Sequence, residues 1–192
     1  MTRRELRFSG FGGQGVITMA HVLGHAVSLH ADMAATMTEA YGPEKTGGFS
    51  RADLVVADDE IGYPNVVEPG LFVAFSQDAF ERDFGSVADG GVVLVERDLI
   101  DPSSVLELWD GTDIELLTVP AVETADDLGN RVVANIVMLG ATVEATDFVP
   151  AETVREAIRD IVPDGTEALN ERAFDRGRQE LDDPEPRTEV VR

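Results

Sequence analysis

The sequence predicts an α/β fold: a single three-layer domain with a mostly parallel sheet, beginning as strand, glycine loop and helix. Three observations predict it. The glycine-rich segment Gly10-Phe-Gly-Gly-Gln-Gly15 separates a short strand from a long apolar helix. Two later runs, Leu71–Phe75 and Val92–Val95, are continuously apolar rather than alternating, as in strands covered on both faces. With 192 residues and 43% hydrophobic content the chain can bury one core, and one domain is the default at that length.

Each element follows from local pattern. Leu6–Ser9 reads as the first strand, Gly10–Gly15 as a tight loop, and Val16–His30 as one helix, apolar on most sides. Met33–Thr38 is a second apolar run; the turn-rich Tyr41–Gly48 follows, and then a strand from about Phe49 to Ala57, so strands rather than helices flank that loop. A helix is expected at Gln77–Phe84, between the two continuous apolar runs, and a strand at Ile114–Val119. Leu128–Val143 reads as one long apolar helix in which Asn130, Arg131 and Asn135 need partners if buried. Helices at Ala151–Ile161 and Thr166–Gln179 complete the domain, taken as residues 1–180. Residues 181–192 are polar and broken by prolines, so they are read as an acidic, disordered tail.

Composition excludes several function classes. The formal charge of −22 arises from 37 acidic against 15 basic residues, which opposes nucleic-acid binding. Cysteine is absent, so disulfides, thiolate zinc sites and cysteine-ligated iron–sulfur clusters have no ligands in this chain. No stretch approaches the roughly 20 apolar residues that cross a bilayer, and the N-terminus has no apolar signal region, so a cytoplasmic protein without membrane association is expected. The acids interrupt periodic apolar segments instead of forming blocks, as on a folded acidic surface. Such a surface repels itself unless salt screens it, and at molar salt the Debye length falls to about 3 Å; a salt-rich, halophilic cytoplasm is therefore expected.

Two loops carry the candidate site. The first satisfies G-x-G-x-x-G between a strand and a helix, where exposed amides and the helix dipole favour an anion such as a phosphate. Its plainer reading is that glycines there permit positive φ and close helix–strand packing. The second, Tyr41-Gly-Pro-Glu-Lys-Thr-Gly-Gly48, carries Lys45, the chain's one lysine, a mobile point charge suited to phosphate or carboxylate. Its plainer reading is a solvated hairpin turn. His21 and His25 lie one helical turn apart with no third ligand evident, so they are read as structural histidines and no metal site is expected. Nucleophile-elbow, zinc-protease and Walker patterns are absent, and no self-sufficient catalytic constellation is visible.

Together, Gly10–Gly15, Tyr41-Gly-Pro-Glu-Lys-Thr-Gly-Gly-Phe-Ser50, Ile61-Gly-Tyr-Pro64, Asn135-Ile-Val-Met-Leu-Gly140, Asn170-Glu-Arg-Ala-Phe174 and Gly177 resemble the gamma subunit, or gamma domain, of 2-oxoacid:ferredoxin oxidoreductases. The resemblance implies oxidative decarboxylation of a 2-oxoacid, with 2-oxoglutarate the favoured substrate, to acyl-coenzyme A with ferredoxin reduction. It implies partner subunits alpha and beta, and in some assemblies delta, that hold thiamine diphosphate, magnesium and the iron–sulfur clusters. It gives the gamma chain a share of the coenzyme A and thiamine diphosphate site and no catalysis alone. By resemblance, Gly10, Gly12, Gly13, Gln14 and Gly15 line one wall, and Tyr41, Gly42, Lys45, Thr46, Gly47 and Gly48 another. Many relatives carry arginine where Thr46 stands here, so a fixed guanidinium contact does not carry over. Two other readings compete: a nicotinamide-dependent Rossmann enzyme with Glu39 at the ribose, and a non-catalytic assembly subunit.

Overall fold

A computed structural model describes residues 3–43, 48–101, 104, 111 and 113–182. Six strands form one sheet: β1 (Arg3–Phe11), β2 (Ala34–Tyr41), β3 (Phe49–Ala57), β4 (Leu71–Ala74), β5 (Gly91–Glu96) and β6 (Ile114–Val119), in the order β2-β3-β1-β4-β5-β6. The pairs β1–β4, β4–β5 and β5–β6 are parallel, whereas β3 runs antiparallel to both β1 and β2. The sheet is thus mostly parallel with an antiparallel hairpin at one edge.

Alternation along the strands builds the layers. Leu6 and Phe8 of β1, with Leu71 and Val73 of β4, face the main core; Phe72 and Ala74 face a second core with Phe80 and Phe84. Helices cover the main face: α1 (Val16–His25), α3 (Ala121–Asp127), α4 (Ala134–Thr146), α5 (Ala151–Ile161) and α6 (Glu167–Asp182); α2 (Gln77–Asp83) covers the other. Both faces of β4 and β5 are covered, which is why Leu71–Phe75 and Val92–Val95 are continuously apolar. On the second face the buried Arg7 guanidinium donates to both Asp53 carboxylate oxygens, at 2.8 and 3.0 Å, and to Ser86 Oγ at 2.8 Å. Ser9 Oγ donates to Asp83 Oδ2 at 2.7 Å, so a satisfied polar network ties α2 to the hairpin side of the sheet.

Helices α4 and α6 cross at two glycines. A Cβ on Gly140 would lie 2.0 Å from Phe174 O, and one on Gly177 would lie 1.8 Å from Val137 O, so only glycine permits this backbone approach.

Three expectations need correction. The helix from Val16 does not run unbroken to His30: α1 ends at His25 and a π-helical turn, Ala26–His30, follows. The run Leu128–Val143 is not one helix; α3 ends before it, Gly129 takes φ +85, and Asn130 caps a 3-10 turn, Arg131–Val133, that leads into α4. The side chain of Asn130 accepts from Val132 N at 3.1 Å, a local bond that competes with helix continuation. The last helix spans Glu167–Asp182 rather than Thr166–Gln179, with Leu181 packed on the core. Residues 183–192, the rest of the assigned tail, lie outside the described residues.

Candidate functional site

The first glycine loop leaves the carboxyl end of β1 and enters α1. Gly13 and Gly15 adopt φ +95 and +76, conformations that side chains with a Cβ rarely reach. Gly15 caps α1, and a Cβ there would stand 2.5 Å from Asn135 Nδ2, so absence of a side chain also lets α4 close against the loop. Gly10 continues β1; a Cβ on it would meet Gln14 Oε1 at 2.6 Å. Gln14 folds back on its own loop: Oε1 accepts from Phe11 N at 2.6 Å and Nε2 donates to Phe75 O at 2.9 Å. Its amide therefore fastens the loop to the end of β4 and shapes the wall from behind.

The second loop joins β2 to β3, and its base meets the first. Gly12 N donates to Gly48 O at 2.8 Å, and Gly42 N donates to Phe49 O at 2.7 Å, closing the hairpin. Lys45, Thr46 and Gly47 lie outside the described residues. Tyr41 is exposed, and its hydroxyl donates to Glu39, a bond that, with slight desolvation, raises the phenol above its ordinary range.

Between the loops and the helices lies a cleft of about 640 Å³, within the size of small-molecule sites. Phe11, Gly12, Gly13 and Gly15 line it from one loop, Tyr41 and Ser50 from the hairpin, Val16, Ile17, Thr18 and His21 from α1. Asn130, Val133 and Asn135 close it from the start of α4, and Ile161–Pro163, Thr166 and Asn170 from the α5–α6 corner. Gln14 and Gly10 stand behind this wall, and Gly42 and Gly48 support it through the two loop-base hydrogen bonds.

Electrostatics favour an anion here. Helix starts leave amides without intrahelical acceptors and carry the positive end of the dipole. Helices α2, α3, α5 and α6 each place an acid in the first turn: Asp78, Glu123, Glu152 and Glu167. The first turns of α1 and α4, whose starts line the cleft, contain none. Among the described α-helices, the two starts free of carboxylates are those that face the cleft. Neither lysine nor arginine appears among its described lining residues.

Sequence reasoning did not assign Asn135 or Asn170 to the site. Asn135 is buried, with Nδ2 3.4 Å from Gly15 O, and Asn170 Nδ2 donates to Thr166 O at 2.9 Å. The signal available was their place in quoted motifs, together with the rule that a buried amide needs partners. Conversely, His21 and His25 do not form a pair: His21 lines the cleft, and His25 turns to Asp160 of α5 at 3.2 Å. Glu39 is exposed on β2, which forms the sheet edge antiparallel to β3, two positions from β1. A dinucleotide fold needs that acid at the end of a parallel neighbour of β1, so the nicotinamide reading loses its ribose contact. A second cleft of about 620 Å³ lies at the opposite end of β1, against Arg4, Leu71 and Phe148, and holds no part of either glycine loop.

The profile of the family described as Pyruvate ferredoxin/flavodoxin oxidoreductase matches residues 5–180. The chain is 42% identical over 178 residues to the 2-oxoglutarate synthase subunit KorC of Methanothermobacter thermautotrophicus, covering 92% of this chain and 94% of that one. It is 33% identical over 156 residues to the ketoisovalerate oxidoreductase subunit VorA of the same organism, covering 81% of this chain and 31% of that longer one. The crystal structure of the keto/oxoacid ferredoxin oxidoreductase gamma subunit from Geobacter sulfurreducens superposes with a TM-score of 0.80 at 29% identity, covering 94% of this chain and 97% of that one.

Proposed function

The chain belongs to the pyruvate ferredoxin/flavodoxin oxidoreductase family and is a gamma-type subunit of a 2-oxoacid:ferredoxin oxidoreductase, and from that premise we propose that it forms one wall of the coenzyme A site in a complex acting on 2-oxoglutarate. The observation that carries the proposal is the meeting of two glycine loops at one cleft toward which the acid-free starts of α1 and α4 face. Coenzyme A brings phosphate and diphosphate groups, which backbone amides at a helix start accept without a counter-cation. The amide following Gly15, at the start of α1, serves that role, whereas Gln14 N is held within the loop by Phe11 O; Lys45 adds the one lysine charge that the hairpin loop offers. A Cβ at Gly15 would close the gap to Asn135, so the wall is built around an unsubstituted backbone.

Thiamine diphosphate, bound in the assembled complex, supplies the decarboxylation chemistry. Residues of this chain do not fit its magnesium, since no Gly-Asp-Gly segment with a following asparagine is present, nor do they fit iron–sulfur clusters, since cysteine is absent. Those groups fall to alpha and beta partners, and to delta in four-chain assemblies, which deliver electrons to ferredoxin. The gamma chain then binds and positions the acyl acceptor and is inactive alone. Preference for 2-oxoglutarate is supported by the 42% identity to a 2-oxoglutarate synthase subunit along nearly its whole length. Among the described residues no helix is long and apolar enough to cross a membrane, and the charge of −22 suits a salt-rich cytoplasm.

The test is a native pull-down of the chain at molar KCl, with mass spectrometry and a dye-reduction assay dependent on 2-oxoacid and coenzyme A. Co-purification of thiamine- and cluster-binding chains with that activity is expected. A solitary chain without activity refutes the assignment. In the assembled enzyme Lys45→Ala should raise the KM for coenzyme A about tenfold, the scale of one charge-assisted contact of about 1.4 kcal/mol, without changing the melting temperature. Unchanged kinetics would remove Lys45 from the site.

A further inference from the structure

The π-helical turn after α1 assembles a group of side chains that lies outside the proposed coenzyme A site. Residues five apart on an α-helix diverge by about 140°, whereas a π turn closes i to i+5 and brings them to one side. His25 and His30 accordingly stand with ring centroids 5.9 Å apart. Helix α5 packs against this turn and presents Asp160 and, one turn earlier, Glu156. His25 Nε2 and His30 Nε2 lie 3.2 and 3.3 Å from Asp160 Oδ2, and His30 Nδ1 lies 3.2 Å from Glu156 Oε2.

Proton counting gives the first argument. A neutral imidazole carries one N–H, yet each nitrogen of His30 faces a carboxylate, so the neutral ring can donate to only one of them. A second ring proton satisfies both carboxylates, and so does a metal cation on Nε2, because Nδ1–H is then free for Glu156, the carboxylate–histidine–metal arrangement that orients ligating histidines. Geometry gives the second. Donors about 2.0–2.1 Å from a tetrahedral ion are about 3.3–3.4 Å from one another, and the two nitrogens stand at nearly that distance from the Asp160 oxygen. One ligand atom from each of His25, His30 and Asp160 lies within 4.8 Å of the other two. Two imidazoles and a carboxylate are a borderline-soft set suited to zinc and its neighbours rather than to magnesium or calcium.

We propose that His25, His30 and Asp160 bind a divalent transition metal of the zinc class, with Glu156 orienting His30 and water completing the coordination. The ion ties the π turn to the end of α5. Ile161, Val162 and Pro163, which follow Asp160 directly, form part of the cleft wall, so the metal steadies that wall without entering the cleft.

The test uses the full chain, stripped with chelator and titrated with Co²⁺ and then Zn²⁺. One equivalent of cobalt with the intense visible bands of a tetrahedral site, displaced by zinc, is expected. His30→Ala and Asp160→Asn should each abolish stoichiometric binding, and Glu156→Gln should weaken it about tenfold or more. In the unaltered chain, zinc should shift the ring resonances of His25 and His30 and leave those of His21 in place. That measurement needs no variant to fold. Many weak equivalents that persist in His30→Ala, or a zinc titration that moves none of the three histidines, would overturn the proposal. Either result is independent of whether the glycine-loop cleft takes coenzyme A.

Discussion

Adding one methyl group at Gly177 sets two effects of alanine in a helix against each other. On an exposed helix surface Gly→Ala stabilises by about 1 kcal/mol, because alanine loses less backbone entropy on folding. Here the new Cβ would lie 1.8 Å from Val137 O and 2.6 Å from Val137 C, backbone atoms that no rotamer change can move. Real Cβ contacts fall above 3.0 Å, so α6 must withdraw from α4 by more than about 1 Å at the crossing. A gap of 0.5–1 Å forfeits about a quarter to a half of each dispersion contact, and α4·α6 is an extensively packed helix pair that includes Phe174. Overpacking of this kind costs about 3 kcal/mol at the upper end of its usual range; after the propensity gain the net loss is about 2 kcal/mol. For a chain of this size each kcal/mol shifts the melting temperature by about 2–4 °C, which predicts a fall of about 4–8 °C. Thermal melts followed by far-UV circular dichroism at molar KCl measure it. A Gly177→Ala chain as stable as the unaltered one, or more so, would refute the backbone-contact argument.

Other expectations are equally concrete. Gly15→Ala places a Cβ in the left-handed region at φ +76 and 2.5 Å from Asn135 Nδ2, so it should cost about 2 kcal/mol and raise the KM for coenzyme A in the assembled enzyme; wild-type values for both would contradict the cleft assignment. Burial raises the Glu5 carboxyl, but hydrogen bonds from Val67 N, Arg3 and Glu68 N outweigh this and hold it below the ordinary range. Its ionised form therefore contributes stability that is present above the ordinary carboxylate pKa and lost as pH falls through the lower folded value. Glu5→Gln should cost about 1 kcal/mol at pH 7, with the difference shrinking on acidification below about pH 4; a pH-independent difference in urea melts would contradict the linkage. Raising KCl from 0.1 M to 1 M shortens the Debye length from about 10 to about 3 Å and should raise the melting temperature of this chain with net charge −22; identical melts would remove the salt-requiring reading.

Elements whose pattern is set by burial alone were legible in the sequence. β3, β6 and α5 have the boundaries that their apolar runs indicated, and the strand–loop–helix start is present. Elements governed by a single hydrogen bond were not. The Asn130 cap divides an apolar run that reads as one helix, and the π turn adds a residue to a helix without any change in composition. At the candidate site, Gly13 and Gly15 of the first loop were readable because positive φ leaves a mark in residue type. The inward engagement of Gln14 was not, since an amide in a loop reads the same whether it faces a ligand or its own backbone. The Gly140 and Gly177 crossing was visible only as part of a motif, because a helical glycine carries no sign of what lies opposite it.

The position of β1 also bears on how the chain is made. It leaves the ribosome before either strand it pairs with, since β3 begins at Phe49 and β4 at Leu71. At about 5–20 residues per second, the ladder on one side of β1 stays open for a few seconds and the other for longer. During that interval a strand with two unpaired edges, bearing Leu6 and Phe8 for the core, is held by a nascent chain whose neighbours are still absent. Like charge between nascent chains keeps such edges apart at a distance, and added salt shortens the range of that protection. Speed of β1 capture by the hairpin and by β4 is therefore a property distinct from the stability of the folded subunit.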